Sequence, residues 1–100
     1  RIDLGKFFPG PKGKHEMIGE STGKGYNIQF PFNVPKVIPG EVNENQIGDM
    51  DYIYVCEQFF FPIIREFKPD LIIISAGFDS AAGDPLGGIN VSPIGYSWIT

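Results

Sequence analysis

Two acidic side chains in a glycine-rich loop are the best candidates for chemistry in this chain. Asp79 and Asp84 follow an apolar run at residues 71–74, and the loop at 75–88 also contains four glycines and a proline. In open parallel sheets, ligands bind beyond the carboxyl ends of the strands. Asp79 lies nearer to the apolar run and is the candidate ligand or catalytic group, although an aspartate here could also close a turn. Asp84, which precedes Pro85, fits that turn role.

Histidine and cysteine, two further side chains common in catalytic and metal sites, occur once each. His15 is the only histidine and lies in a loop of lysines and glycines, which is typical of a solvent-exposed position. Cys56 is the only cysteine and lies on an apolar stripe, which predicts a buried and unreactive thiol. A zinc site needs three or four protein ligands. These two side chains and the scattered carboxylates do not supply a complete one, so the chain is no self-sufficient hydrolase by its own residues.

Length and composition exclude several classes of function. The chain has 100 residues, enough for one small domain, and its hydrophobic content of 42% is ordinary for a globular protein. The net charge of −4 argues against binding to nucleic acid, which normally requires a basic surface. No apolar run approaches the roughly 18 residues of a membrane span, so no membrane partner is expected.

A predicted helix and strand lead directly into the Asp79 loop. Asp49 is the predicted N-cap of the helix, Pro62 should kink it or disturb one turn, and residues 68–70 should end it. Residues 71–75 then predict a short strand buried on both faces. A helix followed by such a strand is typical of the second half of a βαβ unit and indicates an α/β fold. The apolar stripe of the helix consists of Ile53, Cys56, Phe60, Ile63 and Phe67.

The remaining segments predict one further strand, one further helix and two loops. Residues 25–31 alternate apolar and polar side chains, which favours a half-buried strand. Ser92 and Pro93 form a helix start that the end of the chain interrupts. Residues 1–25 and 32–48 are irregular by composition. Because neither end of the chain coincides with the end of an element, we expect a piece of a larger protein.

Several motifs are spread along the chain: Phe7-Phe8-Pro9-Gly10, Gly23-Lys24-Gly25-Tyr26-Asn27-Ile28, Gly48-Asp49-Met50-Asp51-Tyr52, Pro62-Ile63-Ile64-Arg65-Glu66-Phe67, Pro69-Asp70-Leu71, Ser75-Ala76-Gly77-Phe78-Asp79 and Gly83-Asp84-Pro85-Leu86-Gly87-Gly88. These motifs resemble those of the zinc-dependent histone deacetylase family, and within it the class II enzymes and their acetylpolyamine deacetylase relatives. They occur in the family's order and cover nearly the whole chain. The resemblance implies the arginase–deacetylase fold, an α/β fold with a parallel sheet flanked by helices. Residues 1–100 would be a central-to-C-terminal part of its catalytic domain, truncated at both ends.

The resemblance assigns roles to individual residues. Asp79 matches the family's second aspartate ligand of zinc. Phe8 matches one wall of the narrow tunnel that holds the acyl-lysine, and Leu86 matches the aliphatic residue at the rim or floor of that tunnel. Tyr26 corresponds to the region of a structural potassium ion, and Asp84 matches no zinc ligand, in agreement with its turn role.

The same resemblance implies the activity of a parent protein, which would hydrolyse the N-acetyl-lysine of histones or other proteins to lysine and acetate. The family's paired histidines, its Asp-x-His ligands and its oxyanion residue match nothing in this chain. We therefore expect no catalytic residue within the segment, one zinc ligand of three, and no activity in isolation. The expected location is the nucleus or cytoplasm, with corepressor proteins as partners. The alternatives are a non-catalytic pseudo-deacetylase binding module and an acetylpolyamine deacetylase.

Overall fold

A computed structural model of the chain describes residues 14–34 and 46–100. Phe8 and most of the predicted 32–48 connection lie outside the described residues. The chain divides into two compact units, Arg1–Asn33 and Val34–Thr100. The described residues contain no helix that is both long enough and apolar enough to cross a membrane.

The first unit contains a compact loop closed by hydrogen bonds across its base. The backbone N–H of Gly25 donates to the carbonyl of Ile18 at 2.7 Å, and a 3₁₀ turn, Ser21–Gly23, lies between them. Gly19 has a φ of +94°, and a Cβ there would overlap the carbonyl oxygen of Gly23. Only glycine satisfies both conditions, so this position determines the shape of the loop.

The strand predicted at residues 25–31 is wrong in the described structure. Residues 27–34 form no regular secondary structure, and Ile28 is about half exposed, at 49%. A strand needs hydrogen bonds from a neighbouring strand, and no such partner occurs among the described residues of this unit. Phe30 and Phe32 instead pack edge to face, with ring centroids 5.4 Å apart.

The second unit begins with a helical segment that the sequence predicts as one helix and the structure divides into three. These parts are α1 (Asp49–Val55), a π-helical turn (Cys56–Phe60) and α2 (Phe61–Phe67). The predicted disturbance at Pro62 is confirmed, because the wide turn lies directly before it. In a regular helix the proline ring would collide with the carbonyl of Gln58, and the wider turn relieves that collision.

The ends of this segment follow local chemistry, with one correction. Gly48, not Asp49, is the N-cap of α1. The carboxylate of Asp51 reaches back to accept the N–H of Gly48 at 2.9 Å, which leaves the Asp49 side chain available for a distant partner. The predicted end of the helix is confirmed: Lys68 adopts a left-handed conformation with φ of 52° and is followed by Pro69.

The strand predicted at residues 71–75 forms no regular secondary structure in the described structure. Successive side chains of a strand point to opposite faces; Leu71 is 74% exposed and Ile72 is 58% exposed, so neither face is covered. The described residues pair only through two isolated parallel bridges, Gly48 with Asn90 and Ala81 with Val91. Parallel pairing requires strands that are distant in sequence. The parallel sheet therefore stays a prediction.

The third helix, α3 (Pro93–Ile99), begins as predicted. The Ser92 hydroxyl caps it by accepting the N–H of Gly95 at 3.1 Å, and Pro93 occupies its first position. Helices α1 and α3 pack against each other, and Phe61 of α2 contacts Trp98 of α3 with ring centroids 5.7 Å apart. The small core beneath them consists of Ile47, Val55, Cys56 and Val91.

Candidate functional site

Asp79 lies in a turn that follows the exposed apolar run at residues 71–74. The N–H of Ala81 donates to the carbonyl of Phe78 at 3.1 Å, which closes a turn around Asp79. The side chain of Asp79 is exposed. The loop therefore presents a carboxylate to its surroundings at the position that the sequence selected.

Asp84 holds the second half of the loop, as predicted. One oxygen of its carboxylate, Oδ1, accepts the backbone N–H of Leu86 at 2.8 Å and that of Gly87 at 2.7 Å. This arrangement is the turn-closing role of aspartate. It orients the loop so that the side chain of Leu86 is 89% exposed. An aliphatic side chain held outward by its own backbone is suited to line a binding surface.

Gly87 brings the two halves of the loop into direct contact. A Cβ at this position would overlap the backbone carbonyl of Asp79. Backbone atoms cannot rotate away as a side chain can, so any larger residue must displace the turn that carries Asp79. Sequence reasoning missed this contact, although the glycine pair at 87–88 was visible as a signal of close backbone approach.

Val91 anchors the loop to the core. Its N–H donates to the carbonyl of Ser80 at 3.0 Å, and its carbonyl accepts the N–H of Ala82 at 2.9 Å. The side chain of Val91 is completely buried. The residues that follow Asp79 are therefore tied to a point that cannot move without disturbing the core.

Three hydroxyl groups meet beside Asp79. The Ser80 and Tyr96 hydroxyl oxygens are 2.6 Å apart, and Tyr52 of α1 also forms a hydrogen bond with Ser80. Burial raises the pKa of Tyr52 above the usual 10.0, the hydrogen bond with Ser80 opposes that shift, and the charges of Tyr96 and Asp79 add to it. Tyr52 therefore stays protonated at neutral pH and remains able to donate. Sequence reasoning identified none of these three residues as part of the site.

Asp49 braces the site from outside the loop. Its carboxylate accepts the N–H and the hydroxyl of Ser92, and these hydrogen bonds lower its pKa below the usual 3.8. The carboxylate is therefore charged at neutral pH. It holds the start of α3 against α1, which fixes the direction in which Tyr96 approaches the loop.

The described residues supply one candidate ligand for zinc and no complete metal site. A carboxylate oxygen is one of the ligands that zinc accepts, and Asp79 offers one. Among residues 14–34 and 46–100, no group of three or more His, Cys, Asp and Glu side chains could hold a metal ion. Cys56 is buried, as predicted, and that burial raises the pKa of its thiol. It is therefore unsuited to act as a thiolate ligand.

Two further residues that the sequence analysis placed near the site, Phe8 and Tyr26, remain predictions. Phe8 lies outside the described residues, so its place in a tunnel is not observed. Tyr26 belongs to the first unit and is 76% exposed. The match of Tyr26 to a potassium site stays a prediction.

Comparison with known proteins gives a consistent result over the whole chain. The profile of the Histone deacetylase domain matches residues 3–100. Histone deacetylase 18 of Arabidopsis thaliana is 45% identical over 97% of the chain, which spans 13% of that relative. A crystal structure of the HDA15 HD domain superposes with a TM-score of 0.79 at 39% identity, over 97% of this chain and 24% of that one. The histone deacetylase Clr3 superposes with a TM-score of 0.81 at 36% identity, over 99% and 15% respectively. The chain therefore belongs to the histone deacetylase family.

Proposed function

We propose that this chain is a segment of a zinc-dependent deacetylase that hydrolyses the N-acetyl-lysine of histones or other proteins. Family membership over residues 3–100 supports deacetylation as the reaction class. The observation that carries the proposal is the position of Asp79. It is an exposed carboxylate just after the apolar run at residues 71–74, in a loop held by Asp84, Gly87 and Val91.

In this proposal the loop supplies one metal ligand and one wall of the substrate site. When bound, zinc polarises the acetyl carbonyl and activates a water molecule for attack. Asp79 would hold the metal through a carboxylate oxygen. Leu86, oriented by the two hydrogen bonds to Asp84, would contact the aliphatic part of the acyl-lysine. By the family resemblance, Phe8 would form one wall of the tunnel for the acyl-lysine.

The remaining machinery must come from another part of the parent protein. His15 is the only histidine, is exposed, and belongs to a different unit from Asp79. Its Nε2 atom lies 3.4 Å from Oε1 of Glu16. His15 does not supply paired histidines. We therefore propose that the segment alone binds zinc weakly and has no activity. For the parent we propose a nuclear or cytoplasmic location and corepressor partners, as the family resemblance implies.

The test uses the full-length protein that contains this chain. Asp79→Asn keeps the size of the side chain and removes its charge, while Asp70→Asn makes the same change at an exposed position outside the loop. We expect Asp79→Asn to lose bound zinc and acetyl-lysine peptide hydrolysis, and Asp70→Asn to retain both. Retained zinc with normal turnover in Asp79→Asn would refute the ligand assignment.

The same assay separates the alternative functions. Zinc-loaded wild-type protein is given an acetyl-lysine peptide and an acetylated polyamine in parallel. Preferential hydrolysis of the peptide supports the proposal, and preferential hydrolysis of the polyamine replaces it with polyamine deacetylation. If neither substrate is hydrolysed, the chain belongs to a non-catalytic binding module.

A further inference from the structure

Tyr96 of α3 contacts both chain neighbours of Asp79. Its ring packs edge to face against Phe78, with centroids 5.2 Å apart. Its hydroxyl lies 2.6 Å from the hydroxyl of Ser80. One side chain therefore holds the residue before Asp79 by an aromatic contact and the residue after it by a hydrogen bond.

These two contacts restrict the backbone that carries Asp79. Phe78 is 65% exposed in the described structure. Its packing against the ring of Tyr96 therefore limits how far the Phe78 side chain can move. The carbonyl of Ser80 already accepts the N–H of Val91, and the Tyr96 contact adds a side-chain constraint to that backbone constraint. A ligand held at both neighbours loses less conformational freedom when it binds a metal, which favours binding.

Tyr96 is itself held in place by groups distant in sequence. The start of its helix is bound to Asp49 through Ser92. Tyr52 approaches Ser80 from α1, so the serine hydroxyl is shared between two helices. The contact between Tyr96 and Ser80 is therefore supported at Tyr96 by the hydrogen bonds between Asp49 and Ser92, and at Ser80 by the hydrogen bond with Tyr52.

We infer that Tyr96 is a positioning residue for the metal ligand Asp79 and acts through Phe78 and Ser80. The inference rests on the proposed function, since it takes Asp79 to be a zinc ligand. It assigns to α3 a role in metal affinity. Partners that orient metal ligands typically change metal affinity or activity by about 10- to 100-fold when they are removed.

The experiment measures zinc retention in the full-length protein, apart from its activity. Tyr96→Phe keeps the ring and removes the hydroxyl, while Tyr54→Phe removes an exposed hydroxyl from α1 as the matched control. Each variant is titrated with a zinc chelator at a temperature at which circular dichroism shows it fully folded. We expect Tyr96→Phe to lose half of its zinc at a chelator concentration about tenfold lower than wild type. Tyr54→Phe should match wild type.

Substitutions at Ser80 test whether Tyr96 positions Asp79 through its hydroxyl contact with Ser80. Ser80→Ala should lose zinc at least as readily as Tyr96→Phe, because it removes the hydrogen bond with Tyr52 as well as the contact with Tyr96. The double variant should be no worse than Ser80→Ala alone, because Ser80→Ala already removes the hydroxyl contact that Tyr96→Phe removes. Ser80→Thr keeps a hydroxyl and should restore zinc retention. We also expect kcat to fall in Tyr96→Phe with KM little changed, since the substrate wall is not altered.

The outcomes distinguish this inference from the proposed function. If Asp79→Asn loses zinc while Tyr96→Phe retains it like wild type, the positioning role is wrong and the ligand assignment stands. If Ser80→Thr fails to restore zinc retention, or if the effects of the two single substitutions add in the double variant, Tyr96 does not position Asp79 through its hydroxyl contact with Ser80. If Asp79→Asn itself retains zinc, the proposed function fails and the inference with it.

Discussion

The carboxylate of Asp49 accepts two hydrogen bonds from Ser92, which lies 43 positions later in the chain. The backbone N–H donates to Oδ1 at 2.7 Å and the hydroxyl donates to Oδ2 at 2.5 Å. The same hydroxyl accepts the N–H of Gly95. Ser92 therefore caps α3 and joins it to the first turn of α1, and the contact of Tyr96 with the Asp79 loop depends on that junction.

The junction predicts a pH-dependent contribution to stability. The hydrogen bonds from Ser92 lower the pKa of Asp49 below 3.8 in the folded state. A group with a lowered folded pKa contributes stability above its unfolded pKa and loses it as the pH falls through the folded one. In the full-length protein, Asp49→Asn should have a lower denaturant midpoint than wild type at neutral pH. The difference between the two denaturant midpoints should narrow below about pH 4. A difference that stays constant or widens on acidification would show that the Asp49 carboxylate is not stabilised by Ser92.

Gly95 should tolerate no side chain. A Cβ there would overlap the carboxylate of Asp49 and approach Cγ1 of Val91 to 3.0 Å. Because the site is packed from both sides, we expect Gly95→Ala to destabilise the protein by about 1–3 kcal/mol. Gly23→Ala is the control, because a Cβ at that position has no neighbour within 4 Å. Equal unfolding free energies for the two variants would show that the junction is not tightly packed.

Gly87 should matter more for the site than for the fold. A methyl group on Gly87 would push against the carbonyl of Asp79, and displacing a metal ligand by about 1 Å can cost about 100-fold in rate. We therefore expect Gly87→Ala to lower kcat/KM for an acetyl-lysine peptide by about that factor and to reduce zinc content. Gly23→Ala should leave both unchanged. Normal kcat/KM in Gly87→Ala would mean that the loop accommodates the methyl group without moving Asp79.

Asp84 should act through the orientation of Leu86. Removing its carboxylate leaves the N–H groups of Leu86 and Gly87 without their acceptor, at a cost of about 1 kcal/mol for each hydrogen bond. We expect Asp84→Ala to raise KM for the peptide while zinc content stays normal. Asp84→Asn retains an acceptor oxygen and should behave like wild type. Zinc loss in Asp84→Ala would instead make Asp84 part of the metal site.

Helix ends and turns could be predicted from the sequence, because neighbouring residues determine them. The start of α3 at Ser92, the end of α2 at Lys68 and the turn at Asp84 were all predicted, because each depends on groups a few positions apart. The disturbance before Pro62 has the same origin, since proline changes the turn directly before it. Family membership likewise followed from short motifs in a fixed order.

Only the tertiary structure decided how these pieces meet. Asp49, predicted as an N-cap, was found to bind Ser92, and the contact of Tyr96 with Ser80 and that of Gly87 with Asp79 were not foreseen. The strands predicted at 25–31 and 71–75 had suitable side chains but no partner among the described residues. Hydrogen bonds between strands and contacts between helices join residues that are far apart in the chain. The sequence of a short segment does not show which distant residue will become its hydrogen-bonding or packing partner.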